Sequence, residues 1–250
     1  MAIPIAVQLY SVRGDCAEDL MGTLGKVAEM GYAGVEFAGY HGHSAEAIKA
    51  RLDEVGLKCE GAHVGYGEFA PDKFDATVAF HKTIGCDWLI IPWIAEEKRN
   101  TAEAALETAK EMTELVSKLA AVGLKTGFHV HDGDMKVLDG GKCAWTIFGE
   151  NTPTEFLMQY DTANGMHGGA DPVAPILEFP GRGLSVHLKE YSQPWGKVIG
   201  EGEIPWAKVF EACEDKAGTE WYVVEHESDS GMTPMEAIDA CLKNIRAMGK

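Results

Sequence analysis

Four residues able to bind a metal ion stand at the downstream ends of four short apolar runs in the second half of the chain. They are His129 in Lys125-Thr-Gly-Phe-His-Val-His131, Asp161 in Phe156-Leu-Met-Gln-Tyr-Asp161, His187 in Leu184-Ser-Val-His-Leu-Lys189, and Glu225 in Trp221-Tyr-Val-Val-Glu-His-Glu227. Two imidazoles and two carboxylates suit one borderline divalent ion such as Mn²⁺, Co²⁺, Mg²⁺ or Zn²⁺. Such a set leaves positions for substrate oxygens, so the ion would polarise a carbonyl and stabilise an enediolate. A neighbouring base would take the proton from the adjacent carbon. Alternate residues of a strand point the same way. His131 therefore accompanies His129, Lys189 accompanies His187, and Glu227 accompanies Glu225. The candidates for the base are Glu225, His131 and Lys189, the lysine only if its pKa is depressed.

Residues scattered over about a hundred positions share one ion only if their strands end side by side, as they do at the top of a parallel barrel. Taken singly, each has a plainer role: a strand-end histidine as a packing residue, Asp161 as a helix cap, Glu225 as a partner for lysine. Four ligand types ending four consecutive predicted strands make a shared site the better reading. Earlier strand ends offer Glu36, His63 and Trp93, with Gln8 and Tyr10, for binding sugar hydroxyls or stacking on a ring. His41 and His43 read as a solvated loop, His81 as a structural residue in a helix, and His226 as pointing away from the pocket. Gly200-Glu-Gly-Glu-Ile-Pro-Trp206 reads as a loop leading into a helix. Its two glutamates argue against a phosphate cradle.

The elements that must position these residues recur along the chain. Amphipathic segments end in apolar-Gly, as at Met30-Gly31, Val55-Gly56, Ile84-Gly85, Val122-Gly123 and Ala217-Gly218, and a short apolar run follows each. Glycine suits the left-handed residue that closes a helix. The pattern predicts strands over 4–9, 33–37, 58–63, 87–92, 125–130, 157–161, 184–188 and 221–225. It predicts helices over 15–30, 44–55, 72–84, 100–122, 170–178, 205–217 and 233–247, with a short candidate at 142–149. Asp161 is expected to precede a tight polar loop, Thr162-Ala-Asn-Gly165. Eight strand–helix alternations predict an α/β (β/α)₈ TIM barrel. No linker divides the chain, so residues 1–250 read as a single domain.

The 250 residues, 46% of them hydrophobic, suffice for one large core. A formal charge of −17 disfavours nucleic acid and anionic lipid as partners and leaves a small neutral ligand open. No apolar stretch is long enough to span a bilayer, and the N-terminus lacks a signal-peptide pattern. Six scattered cysteines fit reduced, buried thiols in a cytoplasmic protein. A homo-oligomer is compatible with this composition.

The strings F-H-V-H-D, Y-D-T-A-N, V-H-L-K-E, G-E-G-E-I-P-W and V-V-E-H-E, with A-V-Q-L-Y-S-V-R and G-Y-A-G-V-E-F early on, resemble the xylose isomerase-like TIM barrel superfamily along nearly the whole chain. That superfamily is often called sugar phosphate isomerases/epimerases. The resemblance implies one divalent metal at the ends of strands five to eight, matching His129, Asp161, His187 and Glu225. In many sugar epimerases of this type the strand-five ligand is a glutamate, and it and the strand-eight glutamate exchange the substrate proton from opposite faces. Here His129 stands in that place. Relatives with a His-x-His string there include inosose dehydratase-like proteins. A metal-bound imidazole is a poor substitute for a glutamate base. Asn164 stands where many relatives carry histidine; it can bond a substrate hydroxyl but cannot move a proton.

The resulting expectation is a metal-dependent isomerase or epimerase of a small carbohydrate, acting by proton abstraction next to a carbonyl. The alternative is a lyase, dehydratase or hydratase on a keto-sugar, keto-glucoside or keto-inositol. An abasic-site nuclease and a non-catalytic binding barrel rank lower, the first because it needs more ligands and a basic surface. Few cations fall near the strand ends (Arg13, Lys136, Lys189 and Lys197), so the substrate is expected to be unphosphorylated.

Overall fold

A computed structural model describes residues 2–250. Eight parallel strands form one sheet: β1 (Ile5–Gln8), β2 (Gly34–Phe37), β3 (Lys58–His63), β4 (Trp88–Ile91), β5 (Lys125–His129), β6 (Leu157–Gln159), β7 (Ser185–Leu188) and β8 (Trp221–Val224). Their order is β6-β5-β4-β3-β2-β1-β8-β7, so each strand pairs with its sequence neighbour and β8 pairs with β1. A parallel bridge between Asp161 and His187 draws the remaining seam, β6 to β7, together. Beside it the His187 N–H donates to the Tyr160 carbonyl at 2.8 Å. The result is a (β/α)₈ TIM barrel, and two of the expected metal ligands fasten its seam.

The helices are α1 (Arg13–Met30), α2 (Ala45–Val55), α3 (Phe74–Ile84), α4 (Ala102–Ala120), α5 (Ala144–Asn151), α6 (Thr162–His167), α7 (Ala174–Glu178), α8 (Trp206–Ala212) and α9 (Pro234–Ala247). The apolar-Gly joints work as expected at the ends of α1, α2 and α3, where Gly31, Gly56 and Gly85 take φ of 97°, 77° and 76°. Two expectations change. The helix expected over 170–178 is confined to α7. The polar loop expected after Asp161 is the first turn of α6, because the Asp161 carboxylate caps it, Oδ1 accepting the Asn164 N–H at 2.7 Å. Gly165 is required there: a Cβ would collide with the Tyr160 hydroxyl.

Alternation sorts the strands into two faces. Val35 and Phe37 of β2 join the apolar core under the helices, whereas Glu36 between them faces the barrel axis. The lumen is polar: Gln8, Glu36, Glu60, Gln159 and Ser185 are all buried. Gln8, Glu36, Gln159 and Ser185 can stay there because each finds partners among the others. All six cysteines are free, and among the described residues no helix is long and apolar enough to cross a membrane.

Candidate metal centre

The ends of β5 to β8 bring His129, Asp161, His187 and Glu225 together, each buried, with one ligand atom apiece lying within 4.8 Å of the others. His187 presents Nδ1 to Glu225 Oε2 at 2.7 Å and to Asp161 Oδ2 at 4.0 Å. Its Nε2 turns down to Glu36 Oε2 at 3.2 Å. His129 is fixed similarly. Nδ1 lies 3.0 Å from Gln159 Oε1, so it carries the proton, and Nε2 is left facing the centre. Each imidazole thus has one nitrogen anchored below the centre and the other turned toward it, where the second nitrogen of His187 meets Glu225.

Asp161 tests whether a cation fits. Its Oδ1 caps α6, but Oδ2 is buried with no hydrogen-bond partner. A lone buried carboxylate oxygen is costly without a counter-charge. Burial pushes the Asp161 carboxyl up to about 7, and although Lys189 pulls it down, Glu225 adds to the rise. Glu225 goes the other way. Burial opposes its charge, but Lys189 and His187 outweigh that and hold it well below the usual carboxylate range. Burial likewise opposes a charge on His187, yet Glu36 and Glu225 raise its pKa well above that of free imidazole. Metal binding must therefore expel that proton. His129 is kept neutral by burial and by the neighbouring His187 and His63. His63, His129 and His187 also lie close enough to form a three-histidine group. The His63 Nε2 is already turned to Glu36 and to Gln159 Oε1, so the unpaired Asp161 oxygen favours the four-residue set.

The expected base candidates fare differently. His131 lies beside His129, ring centroids 5.0 Å apart, with a buried Nδ1 that has no partner. Burial pushes its pKa down to about 4, so it is neutral. Lys189 does not have the depressed pKa a base requires. Burial lowers it, but Glu225, Asp161 and Glu227 together raise it above the ordinary lysine value. Its Nζ donates to Glu225 Oε1 at 2.9 Å, to Asn164 Oδ1 at 3.2 Å and to Glu227. Lys189 is a fixed cation rather than a base.

The residues expected to bind substrate separate by depth. Glu36 does not face the pocket: it has no exposed surface, and it accepts from Gln8 and Gln159, each at 2.8 Å, and meets His63 and His187. Asn164 stands at the centre, its Nδ2 donating to the Val130 carbonyl at 3.1 Å and lying 3.5 Å from His129 Nε2. Trp93 lies on the loop after β4, 57% exposed. His81 is structural, as expected, its Nδ1 bonded to the Thr77 carbonyl and its Nε2 to the Tyr40 hydroxyl. His41 and His43 lie on the loop after β2, outside the cluster. His226 is buried beside Ser11, whose hydroxyl accepts its backbone N–H.

Four further buried polar residues are not singled out by the sequence, and two of them position the centre. Gln159 and Ser185 stand two residues before Asp161 and His187, so strand alternation alone places them in the lumen. Gln159 Nε2 donates to Glu36 Oε2 and to Ser185 Oγ, which links both histidines to one carboxylate. Glu60 is buried with Oε2 unpaired, and burial and the nearby Glu36 raise its pKa well above the usual value. Glu190 takes up the N–H groups of Tyr191, Gly200 and Ile204 and the Trp206 indole at 2.7–3.1 Å. The G-E-G-E-I-P-W loop therefore wraps a carboxylate of its own chain, and the loop reading holds over the phosphate cradle.

Comparison with known proteins gives this geometry a family. The sequence profile of the xylose isomerase-like TIM barrel matches residues 24–248. An inosose dehydratase from Geobacillus kaustophilus (strain HTA426) is 21% identical over 246 residues, spanning 82% of this chain and 79% of that one. The crystal structure of a sugar phosphate isomerase/epimerase from Parabacteroides distasonis ATCC 8503 superposes with a TM-score of 0.84 at 22% identity, covering 98% of each chain. The structure of the IolI protein with a bound zinc atom superposes with a TM-score of 0.73 at 14% identity, covering 97% of this chain and 96% of that one. This chain belongs to the xylose isomerase-like TIM barrel family.

Proposed function

We propose that this protein is a divalent-metal-dependent enzyme that removes a proton next to the carbonyl of a small, unphosphorylated sugar or keto-sugar, as an isomerase or epimerase. The carrying observation is the unpaired Asp161 Oδ2, buried among three other ligand-type side chains. His129, Asp161, His187 and Glu225 would hold the ion, which when bound polarises the substrate carbonyl. His131, neutral and with a free nitrogen, is the base that takes the proton. Lys189, a fixed cation, stabilises the negative charge that then develops, and His131 delivers the proton to the adjacent carbon. Because His129 occupies the strand-five place, one base on one face is expected, which suits transfer between adjacent carbons better than exchange across two faces.

A second reading, elimination or hydration at a carbon–oxygen bond, is favoured by one specific feature. The Lys189 ammonium lies between Glu225 and Glu227, where it can protonate a departing oxygen. The inosose dehydratase relative is consistent with that chemistry. An unphosphorylated substrate is supported by the loop that wraps Glu190 and by the pairing of Lys189 with carboxylates.

Metal analysis of the purified chain, followed by incubation with ketoses, inososes and 3-keto-glucosides in D₂O with Mn²⁺, tests both readings. Deuterium in a rearranged sugar establishes the isomerase; loss of water or of a glycosidic substituent establishes the lyase. A chain that binds no divalent ion overturns both. Turnover of a sugar phosphate but not of the free sugar overturns the unphosphorylated assignment.

A further inference from the structure

Exposed large apolar side chains are not spread evenly over this molecule. Tyr10, Trp93, Val137, Trp195 and Met232 all stand on segments that follow strand ends at the mouth of the barrel, and Tyr10, Trp93 and Trp195 are the exposed aromatics of the set. One group is organised. The His167 ring packs on Trp195 with centroids 4.2 Å apart and planes tilted by 34°, and on Tyr191 at 4.8 Å. Trp195 keeps 42% of its surface exposed.

This face begins where the metal centre ends. His167 is one turn of α6 beyond Asn164, and residues at that spacing have Cβ atoms roughly 5–6 Å apart. Tyr191 follows Lys189 by two residues. The loop that carries Trp195 is braced on several sides. Glu190 gathers its far end, the Gln193 side chain donates to the Tyr191 hydroxyl at 3.0 Å, and Ser192 Oγ donates to the Pro194 carbonyl at 2.8 Å. Gly196 passes so close to the Asp229 carbonyl that a Cβ would collide, which locks this loop to the one after β8. An exposed tryptophan on a fixed loop is a preorganised stacking surface. Gln193, whose side chain meets the Tyr191 hydroxyl, and Glu203, which accepts the Gln193 N–H, border it, the mixture that binds the hydroxyl edge and C–H face of a ring.

We propose that a second ring, covalently joined to the sugar at the metal centre, lies on the His167–Tyr191–Trp195 face, so that the natural substrate is a two-ring conjugate such as a glycoside. The inference rests on the proposed carbohydrate chemistry and names its substrate class. Trp195 is then a specificity-determining residue. The second ring is a sugar or an aromatic group, and both stack in the same way.

Calorimetric titration of the Mn²⁺-loaded full chain with methyl β-glucoside, phenyl β-glucoside and cellobiose tests this without turnover. At least one two-ring probe should bind about tenfold tighter than the methyl glucoside. That preference should vanish in Trp195→Ala, weaken in His167→Ala and return in Trp195→Phe. Preference for cellobiose identifies a sugar as the second ring, and preference for the phenyl glucoside identifies an aromatic one. Equal binding of one-ring and two-ring probes, no binding of either two-ring probe, or a preference that survives in Trp195→Ala overturns the proposal. If the preference appears but the D₂O exchange fails, the stacking face stands and the proton-transfer reading falls. The reverse pattern leaves the chemistry standing and removes the second ring.

Discussion

Glu36 and Asp161 are both fully buried carboxylates at the same end of the barrel, and they are opposites. Glu36, on β2, is saturated by two amides and two imidazoles. Burial opposes its charge, but His63 and His187 hold its pKa well below the usual range. Asp161, past β6, keeps one oxygen without a hydrogen-bond partner, and burial pushes its carboxyl up to about 7. A carboxylate completed by protein donors has nothing left for a cation, whereas an incomplete one is stabilised by a cation. Glu36, from the first half of the barrel, thus helps orient the ligands, and the second half supplies the ligands themselves.

The largest effect should come from removing the incomplete carboxylate. Asp161→Asn is expected to lower bound metal from about one ion per chain to near none and turnover by roughly a thousandfold, the several kcal/mol of charge stabilisation an ion provides. Elemental analysis with matched kinetics checks this. If Asp161→Asn keeps its metal, the division of roles is wrong.

The pH dependence of the metal-free protein sharpens the same contrast. A carboxyl whose folded pKa rises from 3.8 to about 7 contributes stability below its unfolded pKa and loses it as pH climbs through the folded value. In chelator, wild type should therefore lose stability relative to Asp161→Asn between about pH 4 and about pH 7, by a difference on the order of a few kcal/mol. Denaturant midpoints measured in that window decide it, and parallel curves for the two proteins would refute the assignment.

Glu36→Gln should act more gently. It removes the acceptor beneath His187 and Gln159 without removing a ligand, so metal affinity is expected to fall about 10- to 100-fold while saturating metal restores occupancy. A variant that cannot be loaded at any metal concentration would make Glu36 a ligand and dissolve the comparison.

The smallest effect belongs to His81, on α3 outside the ligand cluster. Burial depresses its pKa below 6.5, so its contribution to stability is present above that value and lost as pH falls. Wild type should lose more thermal stability between about pH 7.5 and about pH 5.5 than His81→Gln does. Equal losses would show that His81 does not titrate with unfolding.

Most of the eight strands were legible because they are short runs rich in apolar residues, and Gly31, Gly56 and Gly85 mark joints between them. His129, Asp161, His187 and Glu225 were legible as ligand types for the same reason. The helix after Asp161 was not. Thr162-Ala-Asn-Gly165 has the composition of a turn, and only the Asp161 cap and the close pass over Tyr160 make it α6. Lys189 shows the limit at a single residue. Its position was readable, but its charge depends on three carboxylates delivered by other strands.

What the sequence determined by itself was therefore the repeat of strand and helix and the kind of side chain at each strand end, both local properties of period and composition. What the tertiary structure decided was which carboxylate is complete. The partners of Glu36 come from 28, 123 and 151 residues away in Gln8, Gln159 and His187. Hydrogen-bond saturation is a property of neighbours in space, and closure of the barrel is what makes those residues neighbours.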